Sequence, residues 1–239
     1  MKHIKARIKV WRYFINGIIS FRQAFSLMFP KSFNLDGREQ SVIFFGKRFF
    51  VDGLRDFIGL AEEIVTSNQY HVELAYGSIV DAGANIGIFS AFAAHLHPDA
   101  TILSFEPDPS AFALLSKNLL GYPNVKVFNF ALGNENKEVL LEEGRTCSHI
   151  AENGIPVELK TIDSLEIPMN FLKMDVEGYE ANIIRGASET IKKYKPIIVM
   201  SAYHKPNDKT ELPAVLNSVA SYDCELRHDC EEDFVCKPL

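Results

Sequence analysis

Residues 80–87 read Val-Asp-Ala-Gly-Ala-Asn-Ile-Gly, and Ser104-Phe105-Glu106-Pro107-Asp108 follows one helix and one strand later. An apolar strand (Ser78-Ile79-Val80) ends in an acidic residue and enters a tight turn of small residues. The next apolar strand, Thr101 to Phe105, ends in a second acid, Glu106, 25 positions after Asp81. That layout is a βαβ nucleoside site: glycines let the backbone pass close to a ligand, and the distal acid can accept both ribose hydroxyls.

The spacing decides which adenosine cofactor is expected. A dinucleotide fingerprint needs glycine at three positions spaced G-x-G-x-x-G. Here those positions are Gly83, Asn85 and Ile88, and two of the three fail. The pattern that holds is Asp81-x-Gly83-Ala84-Asn85-x-Gly87, in which Asn tolerates the left-handed angles of a central glycine. A carboxylate just before the turn repels a pyrophosphate and suits a ligand carrying an ammonium and a sulfonium, which is S-adenosylmethionine. No Gly-Lys-Ser/Thr follows the turn, so a phosphate-binding loop is also ruled out.

Outward from this unit, strands and helices alternate. Strand 78–81 is followed by helix 87–96, strand 101–106, helix 109–120 and strand 124–130. Extended pieces at 138–142 and 156–161 precede strand 170–175, helix 179–193, strand 196–202, a helix near 210–221 and two final strands, 223–228 and 233–237. The pattern predicts an α/β, Rossmann-like, doubly wound and mostly parallel sheet with a terminal antiparallel hairpin, the class I methyltransferase arrangement. Residues 77–239 form the cofactor-binding domain in this reading. Residues 1–76 form an N-terminal extension with short strands at Ser41–Phe45 and Arg48–Val51 and a lid helix near Asp56–Ser67.

Charge is uneven along the 239 residues. Seven Lys/Arg fall within residues 1–31 and no acid precedes Asp36, which leaves 18 basic against 31 acidic residues, a net of −13, for the remainder. An acidic body of that kind excludes nucleic acid as substrate. Ile4, Ile8, Trp11, Ile15, Ile18 and Ile19 share one helical face with a basic face beside it. Either the segment lies on an anionic membrane surface, or it caps the domain or a homodimer partner. It is too interrupted to span a membrane. Four cysteines without a signal peptide fit a reducing cytoplasm, and the six-residue recurrence of Cys224, Cys230 and Cys236 does not match the spacing of a zinc site.

Four segments carry a resemblance: Val80–Gly87, Phe105-Glu106-Pro107, Phe130-Ala131-Leu132-Gly133 and Leu172-Lys173-Met174-Asp175-Val176-Glu177-Gly178-Tyr179-Glu180. Together they resemble the FkbM-type methyltransferase family. The resemblance implies an S-adenosylmethionine-dependent O-methyltransferase acting on hydroxyls of sugars, glycans or secondary metabolites. The cofactor contacts expected are Asp81, Gly83, Ala84, Asn85, Gly87, Glu106, Pro107, Ala131 and Asp175.

An aliphatic hydroxyl has a pKa of roughly 15–16, close to that of water, so its proton must leave during or before methyl transfer. A base is therefore expected at the carboxyl end of the fourth or fifth strand. Asp175 and Glu177 end strand four, and His204 lies just past strand five. His204 is the candidate base. Asp175 can hold the acceptor, the cofactor amine or, with Glu177, a divalent cation; both acids can also cap helix 179–193. Two alternatives stay open: N-methylation of a small amine, and a membrane-associated adaptor that binds an adenosyl ligand without catalysis.

Overall fold

A computed structural model describes residues 40–142, 149–228 and 231–239. The basic N-terminal helix, Cys147 and Cys230 lie outside the described residues. The chain divides between Glu62 and Glu63 into two compact units, ahead of the 76/77 boundary suggested by the alternation of elements.

In the first unit, β1 (Gln40–Phe44) and β2 (Lys47–Val51) form an antiparallel hairpin. Its two connecting residues, Phe45 and Gly46, both have positive φ, the geometry that matches strand twist in a two-residue turn. Helix α1 (Leu54–Ala61) follows. Phe44, Phe49 and Phe57 pack as a ring cluster with centroids 5.0–5.8 Å apart, giving this small unit its own core.

The second unit is built on β3 (Ser78–Ala82), β4 (Thr101–Phe105), β5 (Val125–Phe128), β10 (Phe171–Met174), β11 (Ile197–Ser201), β12 (Tyr222–Arg227) and β13 (Asp233–Pro238). Their order across the sheet is β12-β13-β11-β10-β3-β4-β5. The five strands from β11 to β5 are parallel, and β13 inserts antiparallel between β11 and β12. Strand order reverses between β3 and β10, the switch point beside which open α/β sheets bind ligands. Every residue of β3 and β10 is buried, as expected for central strands covered on both faces. The α/β sheet with its terminal hairpin is thus the one the alternation predicted.

Helices α2 (Ile88–Leu96) and α3 (Pro109–Leu119) form the crossovers around β4. Asp108 caps α3 by accepting the Ser110 and Ala111 amides at 2.7 and 3.0 Å. A second, four-stranded sheet holds β6 (Ala131–Leu132), β9 (Ile155–Lys160), β7 (Lys137–Glu142) and β8 (His149–Ala151), in that order. Strand 124–130 is therefore shorter than expected: after Phe128 the chain leaves the main sheet to begin the small one.

The helix expected over 179–193 is two helices, α4 (Glu180–Gly186) and α5 (Ser188–Tyr194). Two contacts cause the break. A Cβ on Gly186 would lie 1.8 Å from the Gly133 carbonyl oxygen, so the chain passes this point only as glycine. Asp163 then accepts the Glu189 and Thr190 amides at 3.1 and 2.8 Å, starting a fresh helix. Helix α6 (Asp208–Val219) covers the hairpin side, with Leu212 and Leu216 in the core.

Cys224 and Cys236, expected from sequence to be reduced, are opposed in the β12–β13 register and form a disulfide. Opposed strand positions bring Cβ atoms within bonding range, a juxtaposition that the sequence spacing alone did not reveal. Among the described residues no helix is long and apolar enough to cross a membrane.

Candidate active site

The turn between β3 and α2 is left-handed at Gly83 (φ 74°), Asn85 (φ 48°) and Gly87 (φ 96°). Asn85 thus takes the glycine-like conformation expected of it. The Gly83 and Ala84 amides donate to the Phe105 carbonyl at 3.1 and 3.0 Å, docking the turn on the end of β4. A Cβ at Gly83 would stand 1.9 Å from the Asp175 carbonyl oxygen, so this glycine also lets β10 close against the turn.

Glu106 is buried where β4 ends. One carboxylate oxygen accepts the Asn85 amide at 2.8 Å and the other the Asp108 amide at 2.9 Å. Burial pushes the carboxyl up to about 7, against the opposing pull of those two amides. A carboxylate has about four lone-pair sites, so two remain for ligand hydroxyls. Pro107 is half-buried beside it, and its carbonyl is tied to Asn129 at 3.1 Å. Ala131 is buried at the start of β6.

Asp81 lies beneath the turn with its side chain at 0% exposure. Ser90 donates to one oxygen at 2.6 Å, and the Lys173 ammonium pairs with the other at 3.0 Å. Lys173 also donates to the Gly83 carbonyl at 2.7 Å and sits over the Tyr70 ring at 5.1 Å. The acid expected to face the ligand's cation is therefore matched by a cation of the protein itself. Neutralised in this way, the buried pair braces the turn from below.

The second cluster forms where β10 and β11 end. Asp175 accepts the Tyr70 hydroxyl at 2.7 Å on one oxygen; Tyr203 Oη and His204 Nε2 each lie 3.4 Å from the other. His204 Nε2 is 3.6 Å from Glu177, and Nδ1 is 3.1 Å from Glu180. Burial disfavours the imidazolium, but the hydrogen bond to Glu180 and its charge, followed by the Asp175 and Glu177 charges, outweigh it and raise the His204 pKa. Glu177 itself is held at φ 53°.

The fully buried Glu180 also accepts the Val176 and Gly178 amides at 3.1 and 3.4 Å. Glu180 thus receives amides at the start of α4, a place where the sequence suggested Asp175 and Glu177 as caps. The structure brings Asp175, Glu177 and His204 together and adds Glu180, Tyr70 and Tyr203 to them, while Lys173, whose direction within its strand the sequence does not disclose, serves the Asp81 turn. Glu180 and Lys173 stood inside the quoted motif. Tyr203 adjoins His204 in a segment that also resembles the family, whereas Tyr70 carried no signal beyond its residue type. Among the described residues, no group of three or more His, Cys, Asp or Glu side chains is arranged to hold a metal ion.

Residues 81–226 match the methyltransferase FkbM domain. Methyltransferase 1 of Beauveria bassiana is 28% identical over 145 residues, 46% of this chain and 58% of that protein. The hexuronic acid methyltransferase AglP of Haloferax volcanii is 28% identical over 172 residues, covering 65% of this chain and 67% of the relative. The crystal structure of an FkbM methyltransferase from Methylobacillus flagellatus KT superposes with a TM-score of 0.57 at 18% identity, covering 97% of this chain and 59% of that one. The chain thus spans less than two thirds of the first and last of these proteins. A glycine turn closed against β10, a buried acid ending β4 and a domain match over more than half the sequence agree: the chain belongs to the FkbM methyltransferase family.

Proposed function

We propose that this chain is an S-adenosylmethionine-dependent O-methyltransferase for a hydroxyl of a sugar, glycan or similar small acceptor. The observation that carries the reading is the placement of His204. One ring nitrogen is on buried Glu180 and the other faces Asp175 and Glu177, against the backbone that packs on Gly83.

The residues present fit the cofactor at two points. Glu106 keeps free acceptor capacity toward ribose hydroxyls, and the left-handed turn at 83–87 keeps side-chain bulk away from the strand ends. Pro107 and Ala131 would flank the adenine. When bound, S-adenosylmethionine would supply a methyl group activated by a sulfonium. The protein's own task is to hold an acceptor oxygen in line and remove its proton.

In neutral His204, the Nδ1 proton is donated to Glu180, which leaves the lone pair on Nε2. Nε2 takes the acceptor proton, and Asp175 and Glu177 stabilise the resulting imidazolium. The arrangement follows the logic of an oriented histidine base, with Glu180 fixing tautomer and ring. Asp175, 28% exposed and steadied by Tyr70, orients the acceptor hydroxyl. A sugar-like acceptor is supported by AglP, whose name states a hexuronic acid substrate.

Calorimetric titration with S-adenosylmethionine and NAD, followed by transfer of labelled methyl to a panel of glycosides, tests the proposal. Selective binding of the first ligand, lost in Glu106→Ala, with label on a glycoside oxygen, is the expected result. Binding of neither ligand removes the cofactor assignment. Label on nitrogen, at a rate indifferent to His204→Ala, would replace O- by N-methylation.

A further inference from the structure

Residues 68–72, which lead towards β3, reach the acceptor end from outside the span matched by the family domain. Asn68 and His71 both hold left-handed backbones (φ 52° and 47°), and Asn68 Oδ1 accepts the Val72 amide at 3.1 Å, which folds the segment into a short loop. Its two central side chains are buried and each makes a long-range hydrogen bond. Gln69 donates from Nε2 to Asp233 on β13 at 3.3 Å. Tyr70 donates its hydroxyl to Asp175 Oδ2 at 2.7 Å. Like Gln69 and Tyr70, Asp233 lies outside the family-matched residues.

Distance ranks the partners of Asp175. The Tyr70 bond has the short length of a hydroxyl donating to a carboxylate, whereas Tyr203 Oη and His204 Nε2 each stand 3.4 Å from Oδ1. The last torsion of an aspartate side chain is soft and nearly two-fold, so the carboxylate plane goes where its strongest partner holds it. Tyr70 can hold it because its own ring is confined: Phe89 lies edge-to-face with it at 5.8 Å between centroids, and the Lys173 ammonium stands 5.1 Å over the ring. We propose that Tyr70 is a positioning residue of the acceptor site: it occupies Oδ2 of Asp175, so that Oδ1 is the oxygen presented beside His204, and the Gln69–Asp233 contact anchors it from the last strand. The inference rests on reading Asp175 and His204 as the acceptor end.

Lys173 gives the arrangement a second purpose. An ammonium over the face of a phenol draws charge from the ring and strengthens its hydroxyl as a donor. The same ammonium pairs with Asp81 and donates to the Gly83 carbonyl, so the group that braces the cofactor turn also backs the donor that aims Asp175. Taking away the Tyr70 hydroxyl alone leaves the ring packing and Lys173 in place and removes only the aim. The loss then falls on the acceptor and spares the cofactor.

The test follows the Tyr70 hydroxyl proton of the full chain by NMR, assigned by its loss in Tyr70→Phe. The expected resonance is downfield and protected from exchange, and it moves upfield in Asp175→Asn, whose neutral amide is a weaker acceptor. Gln69→Leu should keep the resonance but speed its exchange at least ~5-fold, through the lost anchor. Gln69→Met, closer in shape, replaces that variant if it fails to fold. With methyl glycosides as acceptors, Tyr70→Phe should raise the acceptor KM ~10-fold, with a smaller change in kcat and an unchanged Kd for S-adenosylmethionine. Tyr70→Phe combined with Gln69→Leu should be no worse than Tyr70→Phe alone, since the anchor acts only through the hydroxyl. A resonance indifferent to Asp175→Asn, exchange unmoved in the Gln69 variant, or a fall in cofactor affinity equal to the rise in acceptor KM would overturn the proposal. The expected NMR responses in a protein that methylates no glycoside would leave the aim of Asp175 standing and count against the functional assignment instead.

Discussion

The two ends of the site are made differently. The Glu106 end is a single βαβ unit whose partners lie within about 30 residues of one another: Asn85 on Glu106, Ser90 on Asp81, the Gly83 amide on Phe105. The His204 end is collected from Tyr70, from Asp175 and Glu180, and from Tyr203 and His204. Backbone conformation makes the first end; side chains from remote segments make the second. A local unit is suited to a constant ligand, whereas an assembled wall can change with any of its contributors. The contrast suits the proposed reaction, in which one methyl donor would serve whichever acceptor the assembled wall fits.

Lys173 is the exception that can break this contrast, because it supports the local end from another strand. Lys173→Met leaves Asp81 buried and unpaired, and chemical denaturation should show a loss of roughly 3–5 kcal/mol. A loss below about 1 kcal/mol would mean that the turn stands without its brace. At the assembled end, His204→Ala should lower methyl transfer ~10²–10⁴-fold while S-adenosylmethionine affinity, read by calorimetry, stays unchanged. A matching fall in affinity would merge the two ends. Reduction of Cys224–Cys236 releases a chain-entropy constraint worth about 3 kcal/mol for a separation of 12 residues. Differential scanning calorimetry should register it as a lower midpoint, with cofactor affinity preserved.

The remaining effects concern pH. The raised folded-state value of Glu106 means that its contribution is fully present below about 4.5 and is lost as pH climbs through about 7. Glu106→Gln should flatten that decline, removing ~3 kcal/mol of pH-dependent stability change across the window. His204 has the same sign: stability from its carboxylate contacts is complete below the ordinary histidine range and fades as pH passes the raised value. The rate should do the opposite, rising over that limb as the neutral base forms. Glu180→Gln should move the limb to lower pH.

The same contrast governs what the sequence discloses. Turn, distal acid and strand alternation are local signals, and β3, α2, β4 and Glu106 occupy the places they predict. Asn85 was legible because only its own φ was at issue. The α4–α5 break was hidden because it depends on Gly133 and Asp163, which are distant along the chain. The pairing of Asp81 with Lys173 was hidden because a residue's direction within a central strand is fixed by the neighbouring strand. Asp233, on β13, has no local motif at all; its burial beside Ser201 is set by the β11–β13 register.

Glu177 holds a left-handed backbone at φ 53°, a conformation that disfavours any residue with a side chain by ~1–2 kcal/mol. Glu177→Gly would relieve the conformation and remove a carboxylate facing His204, so a gain in thermostability is expected above the raised His204 range, where that contact no longer stabilises the fold. Selecting this protein for heat resistance would be expected to find that change early and to produce a sturdier, slower enzyme. In this region durability and turnover are opposing demands on the same residue.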